Sequence, residues 1–171
     1  MKVLVITDGL IDDTSPIGTV LETIVGYVGG ERFVVTINLL DSETTKLTKF
    51  SQSQKSFLFR KPMENYTGFR RTARLGEYLS SLEIKTCRNK FQEIVSSHDW
   101  DLVLISLYSQ SSIRSAENLL FSPNSKVITL LWDDFRWWGI SSKITSKVMS
   151  HLLDAQMKIV RSSSHILVPS T

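Results

Sequence analysis

The chain has 171 residues, the length of one ordinary domain, and 42% of them are hydrophobic, which excludes an intrinsically disordered protein. Its 20 basic and 17 acidic residues give a net charge of only +3, too small to indicate nucleic-acid binding by itself. A single cysteine, Cys87, excludes an internal disulfide. The histidines lack the H-x-x-x-H and E-x-x-H spacings of metal ligands, so we expect no metal site.

The sequence shows neither a signal peptide nor a membrane-spanning segment. The apolar run at residues 3–6 is too short for a signal peptide, and no cleavage pattern follows it. No apolar run approaches the roughly 20 residues that a transmembrane helix needs. We therefore expect a soluble, cytoplasmic domain in a reducing compartment. There Cys87 is a buried structural thiol, because it shares helical core spacing with Phe91 and Val95.

The first 40 residues predict a βαβ unit. Residues 3–6 form a continuous apolar run, as in a strand buried on both faces. Apolar residues between 17 and 28 recur at helical spacing, with Ser15 as the N-cap and Pro16 at the first helical position. Residues 33–40 predict the second strand.

The rest of the chain continues the alternation of strands and helices. It predicts a loop at 41–56, a short strand at 57–59, helices at about 66–82 and 86–97, a strand at 101–107, a helix near 113–121, a strand at 126–132, a helix at 144–159 and a strand at 165–168. This order predicts an α/β fold, a Rossmann-like three-layer α/β/α sandwich with a mainly parallel sheet. We expect one domain over residues 1–171, with the first, fourth and fifth strands at its centre.

Three loops are candidate binding sites, because ligands of open parallel sheets bind beyond the carboxyl ends of the strands. In the first loop Asp8, Ser15 and Gly18 are candidate ligand-facing residues, since free N–H groups at a helix start favour an anion such as phosphate. The loop contains neither G-x-G-x-x-G nor a P-loop pattern. Its Ser-Pro pair is alternatively no more than a helix start.

The second loop, after the strand at 101–107, is rich in serine. Serines before a helix are usually caps, and that is the interpretation we prefer here. The absence of a G-x-S-x-G elbow argues against a serine hydrolase.

The third loop begins W-D-D-F-R-W-W-G and offers the most chemistry. Asp133 and Asp134 are the candidate catalytic residues, because a carboxylate can accept the proton of a substrate hydroxyl. Trp132, Arg136 and Trp137 are candidate acceptor-binding residues, since aromatic faces pack against sugar rings or lipid. The alternative is structural: tryptophans that fill core and aspartates that cap a turn.

A basic segment at residues 55–90 contains nine basic and three acidic side chains. Arg70, Arg71 and Arg74 can share one helical face within it. We expect this patch to meet an anionic membrane surface or a phosphorylated acceptor. A simply solvated face is the alternative.

The order of segments resembles the amino-terminal domain of GT-B glycosyltransferases, especially the retaining glycosyltransferase family 4. The matching pieces are K-V-L-V-I-T at residues 2–7, D-L-V at 101–103, K-V-I at 126–128 with Asp133 after it, and S-H-I-L-V-P-S at 164–170. Two positions depart from the family. The family often has two glycines before the first helix, of which only Gly18 is present here. It commonly has His-Asp after the fifth strand, where this chain has Trp132 and Asp133.

The resemblance implies a domain that binds a sugar, lipid-linked or other small acceptor. The chain ends where the family crosses into its donor-binding carboxy-terminal domain, with its E-x-x-x-x-x-x-x-E pattern. We therefore expect residues 1–171 to be inactive alone and to need that domain or a partner subunit. The resemblance implies a nucleotide sugar as donor substrate and no cofactor. Peripheral membrane association follows from the basic patch.

Two other classes of function stay open. The first is a stand-alone α/β binding or signalling module, such as a receiver-like domain. A receiver domain has an acidic pair at the end of its first strand, but Asp12 and Asp13 lie several residues beyond that point. Leu107 occupies the strand end where the phosphoacceptor aspartate would be. The second is a basic nucleic-acid-binding domain. Residues 55–90 lack the interleaved aromatics suited to base stacking, so we expect no nucleic-acid partner.

Overall fold

A computed structural model describes residues 1–8, 16–27, 33–40, 54–60, 70–131 and 146–168. These residues form strands and helices in alternation. In chain order they are β1 (Lys2–Thr7), α1 (Pro16–Tyr27), β2 (Phe33–Leu40), β3 (Gln54–Arg60), α2 (Arg70–Ser96), β4 (Leu102–Ser106), α3 (Gln110–Ala116), β5 (Lys126–Leu130), α4 (Ser146–Ser162) and β6 (His165–Leu167).

The strands form one six-stranded sheet in the order β3-β2-β1-β4-β5-β6. Every pairing in it is parallel. β2 and β3 are added in turn on one side of β1, and β4, β5 and β6 are added on its other side. The strand order therefore reverses between β1 and β4. The predicted parallel sheet is confirmed, and β1, β4 and β5 each have a neighbour on both sides.

Helices cover both faces of this sheet, because alternate residues of the central strands point to opposite sides and almost all are apolar. Leu4 and Ile6 face one side, where α2, α3 and α4 contribute the buried residues Phe91, Ile113 and Leu152. Val3 and Val5 face the other side, where Leu21 of α1 packs on them. The predicted α/β/α sandwich is therefore confirmed.

A single long helix, α2, replaces the two helices predicted at 66–82 and 86–97. No proline or glycine lies between residues 82 and 86, so nothing ends the helix there. Among the side chains of α2 that the structure describes, the buried ones lie in its second half. Ile84 and Phe91 are buried, whereas Leu79 and Leu82, within the first predicted helix, are 44% and 45% exposed.

Two other boundaries differ from the prediction. β3 begins at Gln54, inside the predicted loop, because Gln54 pairs with Val34 of β2 and extends the ladder. α3 begins at Gln110, three residues earlier than predicted, because Ser109 caps it.

Cys87, the one cysteine of the chain, lies in the second half of α2. Cys87 is half-buried and packs against the larger core cluster. Burial raises the pKa of the Cys87 thiol above its ordinary value, and the positive charge of Lys90 only partly opposes this. Cys87 is therefore a packing residue with a weakly reactive sulfur.

Phe91 is completely buried, so its replacement by alanine should strongly destabilise the protein. Phe91→Ala should lower the free energy of unfolding by about 3–5 kcal/mol, because it leaves a cavity between α2 and the sheet. Urea denaturation followed by circular dichroism measures this. Leu120→Ala is the control, since Leu120 is 76% exposed and its replacement should change stability by less than about 0.5 kcal/mol. Equal effects of the two changes would contradict the packing described.

Candidate functional site

The carboxyl ends of β1 and β4 lie side by side at the point where the strand order reverses, which is the usual ligand site of an open parallel sheet. Thr7, at the end of β1, is opposite Ser106, at the end of β4. The ladder continues one residue further, since Asp8 N donates to Ser106 O at 3.4 Å. The loop that leaves β4 towards α3 therefore starts beside Asp8.

Asp8 holds that loop through its carboxylate. Its Oδ2 accepts hydrogen bonds from the backbone N–H groups of Tyr108 at 2.6 Å and Ser109 at 2.8 Å. The Ser109 hydroxyl donates to Oδ1 at 3.1 Å. Asp8 is buried, so these hydrogen bonds are shielded from water and correspondingly strong. They fix the position of the chain between β4 and α3.

Ser109 links this contact to α3. It is the N-cap of the helix, and its side-chain oxygen accepts a hydrogen bond from Ser112 N at 3.4 Å. Ser112 Oγ lies 2.5 Å from Ser109 Oγ. The prediction that the serines of this loop act as caps is confirmed for Ser109.

Two polar side chains in the first turn of α3 are buried without a hydrogen-bond partner. Gln110 Nε2 and Ser111 Oγ have none within the described part of the chain, although Gln110 is 4% and Ser111 is 1% exposed. Unpaired buried polar groups are rare in native proteins, because each costs about 1–3 kcal/mol of desolvation. Both residues directly follow Ser109 at the carboxyl end of β4. Their position makes them candidates for contact with a polar ligand at this edge.

Tyr108 adds an aromatic surface at the same edge. Its side chain is 40% exposed, and its hydroxyl donates to Asp8 O at 3.4 Å. The hydroxyl is thus held, and part of the side chain is exposed to solvent. An aromatic ring held in this way is a suitable surface for a sugar ring.

The described residues on the β4 side of this edge carry little charge. Across residues 7–8 and 106–113, Asp8 carries the one formal charge, and it is negative. An anion would meet no cation among these residues. Hydroxyl groups, in contrast, can accept from Gln110 Nε2 and exchange hydrogen bonds with Ser111 Oγ.

The structure brings some predicted site residues to this edge. Asp8 lies there, bound to the loop, and its contact with an acceptor stays a prediction. Gly18 is the third residue of α1, which confirms Pro16 as the first helical residue. Arg70, Arg71 and Arg74 lie in the first turns of α2. The other predicted site residues lie outside the described ranges: Ser15, Trp132, Asp133, Asp134, Arg136 and Trp137.

The sequence analysis assigned no ligand role to Tyr108, Gln110 or Ser111. A signal was present for Tyr108, since it lies in the loop that directly follows a buried strand, and such loops often carry binding residues. Gln110 and Ser111 gave none, because the burial of a polar side chain leaves no apolar pattern in the sequence.

In the part of the chain that the structure describes, no three His, Cys, Asp or Glu side chains come together as metal ligands do.

Comparisons with known proteins identify a shared fold. No family model matches the sequence, and no curated protein matches it. Among solved structures, the chain is similar to the crystal structure of the Arabidopsis thaliana UDP-glycosyltransferase UGT89C1 complexed with UDP, at 13% identity and a TM-score of 0.50. The similarity covers 99% of this chain and 45% of UGT89C1, so the chain spans less than half the length of that protein.

The role of Asp8 in holding the loop can be tested by its removal. Asp8→Ala should lower the free energy of unfolding by about 3 kcal/mol, because two buried N–H groups lose their acceptor. Asp154→Ala is the control, since Asp154 is exposed on α4 and should change stability by less than about 0.5 kcal/mol. Urea denaturation measures both. If the two variants are equally stable, Asp8 does not hold the loop.

Replacing the unpaired side chains of Gln110 and Ser111 should instead increase the stability of the protein. Gln110→Met and Ser111→Ala should each raise the free energy of unfolding, by about 1 kcal/mol, because an apolar replacement removes the desolvation cost. Ser109→Ala, which removes the cap, should lower it by about 1 kcal/mol. Thermal unfolding by calorimetry separates the two outcomes. Destabilisation by both Gln110→Met and Ser111→Ala would show that these side chains have partners in the free protein.

Proposed function

We propose that this chain is the acceptor-binding domain of a glycosyltransferase that moves a sugar from a nucleotide-sugar donor. The observation that carries the proposal is the sheet order β3-β2-β1-β4-β5-β6, with polar residues at the point where the strand order reverses. The same fold occurs in a UDP-glycosyltransferase, of which this chain matches 45%. A domain of this kind needs a second, donor-binding half. That half is a carboxy-terminal domain or a partner subunit, and residues 1–171 alone do not transfer sugar.

The acceptor enters beyond the carboxyl ends of β1, β4 and β5 in this proposal. Tyr108 offers the ring, and Gln110 and Ser111 offer hydrogen bonds to acceptor hydroxyls. Asp8 positions this group through the Tyr108 and Ser109 amides.

The β5 side supplies the reactive groups. β5 pairs in parallel with β4, and Leu130 is opposite Ser106, so the chain leaves β5 at the same edge of the sheet. Asp133 and Asp134 follow within four residues, and one of these carboxylates accepts the proton of the attacking hydroxyl. Trp132 and Trp137 contact the acceptor, and Arg136 binds an anionic group on it or offsets the paired carboxylates.

The donor lies across the site, towards α1. The first turn of that helix begins at Pro16 and contains Gly18, where a missing side chain lets a ligand approach the backbone. Ser15 and Gly18 lie next to the donor phosphate in this arrangement. The remaining contacts to the nucleotide come from the donor-binding half.

Turnover tests the proposed carboxylates. With the donor-binding half present, Asp133→Asn and Asp134→Asn should each lower kcat by about 100-fold, the usual contribution of a general base, while donor Kd changes less than about twofold. Release of nucleotide from a panel of nucleotide sugars measures kcat, and calorimetry measures Kd.

Two controls make the result specific. Asp154→Asn, on the exposed face of α4, should keep wild-type kcat. The 171-residue chain without the donor-binding half should release no nucleotide above background. Wild-type activity in both Asp133→Asn and Asp134→Asn would assign the W-D-D-F-R-W-W segment a structural role. Robust transfer by the chain alone would overturn the proposed division between two halves.

A further inference from the structure

α3 is the shortest of the described helices and α2 the longest, with 7 and 27 residues, and none of these helices is both long and apolar enough to cross a membrane. An isolated helix as short as α3 is not stable in water. Its position therefore depends on what holds its two ends. That position matters for the candidate site, because Gln110 and Ser111 lie in the first turn of α3.

The amino-terminal end of α3 is held by Ser109 and Asp8. Ser109 caps the helix, and Asp8 accepts hydrogen bonds from the Ser109 N–H group and hydroxyl. Along its length the helix packs through Ile113 and Ala116 on the core, but apolar packing is not directional. A second directional contact is therefore needed to fix how the helix is tilted and rotated.

The carboxyl-terminal end of α3 is held by α2. The last carbonyl groups of a helix have no partner inside it. Arg88 of α2 donates through Nη2 to Arg114 O, and the same Nη2 lies 2.8 Å from a carboxylate oxygen of Glu117, the C-cap residue of α3. A basic side chain from a neighbouring helix thus caps α3.

Gln92 extends this attachment by one turn of α2. Its Oε1 accepts a hydrogen bond from Leu120 N at 2.9 Å, and its Nε2 donates to Leu120 O at 3.1 Å. The side-chain amide therefore pairs with both backbone groups of Leu120. Because a spacing of four places Arg88 and Gln92 on one face of α2, together they hold the chain from Arg114 to Leu120.

These contacts are directional, and they are not the most stabilising way to join two helices. Arg88 Nε is buried without a partner in the described chain, and the side chains of Arg88 and Glu117 are only 28% and 20% exposed. Desolvation offsets much of the Coulomb energy of such a pair, so apolar side chains would hold the helices together at least as well. The polar contacts instead select one relative position of α2 and α3, because each hydrogen bond requires its own distance and direction.

We propose that Arg88 and Gln92 are positioning residues for the candidate site. They fix the carboxyl-terminal end of α3, and the two-turn helix transmits that position to Gln110 and Ser111 in its first turn. The inference rests on the proposed function, because it concerns the geometry of the same acceptor site. It adds that residues of α2 with no place at the carboxyl edge of the sheet determine how well the acceptor is bound.

Hydrogen exchange on the ligand-free chain tests the positioning. The Ile113 N–H group, which donates to Ser109 O at 3.1 Å, reports opening of the first turn of α3, and the Val103 N–H group in β4 reports global unfolding. Arg88→Met with Gln92→Leu should raise the ratio of the Ile113 to the Val103 exchange rate by about fivefold or more, the effect of losing a helix cap. Lys90→Met, which replaces an exposed cation of the same helix, should not raise this ratio.

Sugar affinity tests the consequence for the site. In an NMR titration with methyl glucoside, the Arg88→Met, Gln92→Leu double variant should have a Kd about tenfold higher than the wild type, as for the loss of one hydrogen bond to the ligand. Ile24→Val is the control for stability, since Ile24 of α1 packs on the core at the other face of the sheet. It should lower the Tm by about 2–4 °C and leave the Kd unchanged.

The two measurements separate positioning from simple stabilisation. If Arg88 and Gln92 only stabilise the protein, the double variant will have a lower Tm with an unchanged exchange ratio and an unchanged Kd, and the proposal is overturned. An equal rise in Kd in Ile24→Val would overturn it as well. If the wild-type chain binds no sugar, the proposed function fails, whereas the exchange ratio still decides whether Arg88 and Gln92 position α3.

Discussion

The structure depends on two neighbouring parallel strands, β1 and β4, which are buried on both faces and end side by side at one edge of the sheet. Their side chains are apolar on both faces, so α1 covers one side and α2, α3 and α4 cover the other. At the shared edge, Asp8 accepts the backbone N–H groups that follow β4. This one carboxylate sets where the loop turns, where Ser109 caps α3 and where the ring of Tyr108 stands.

The opposite edge of the sheet is built differently. Lys2 N donates to Asp101 Oδ2 at 2.6 Å, Asp101 N donates to Lys2 O at 3.0 Å, and Ser125 Oγ donates to Trp100 O at 2.7 Å. These polar groups are paired with one another, as a purely structural edge requires. At the carboxyl edge, in contrast, Gln110 Nε2 and Ser111 Oγ are buried without a partner in the described chain, as is Arg88 Nε on α2.

The sequence predicted the fold well where local pattern and tertiary burial agree. The apolar run at residues 3–6 and the run at 101–107 can be satisfied only by strands covered on both sides, so the α/β class followed from them. The single helix α2 was missed, although no glycine or proline separates its two predicted parts; Leu79 and Leu82 have core-like spacing but are exposed. Gln110 was missed because its burial, at 4% exposure, leaves no apolar pattern in the sequence. Asp133 and its neighbours remain predictions from sequence, because the described residues stop at Leu131 on that side.

The central claim is that the carboxyl ends of β1 and β4 form a site for a hydroxylated acceptor. Crystals of the chain soaked in methyl glucosides and methyl galactosides test it most directly, because no knowledge of the natural acceptor is required. The account predicts sugar density beside Tyr108, with ligand oxygens within about 3.2 Å of Gln110 Nε2 or Ser111 Oγ. Gln110→Met with Ser111→Ala should abolish that density while the fold is unchanged. Sugar bound only at the amino edge, beside Asp101, or bound equally well to the double variant, would contradict it.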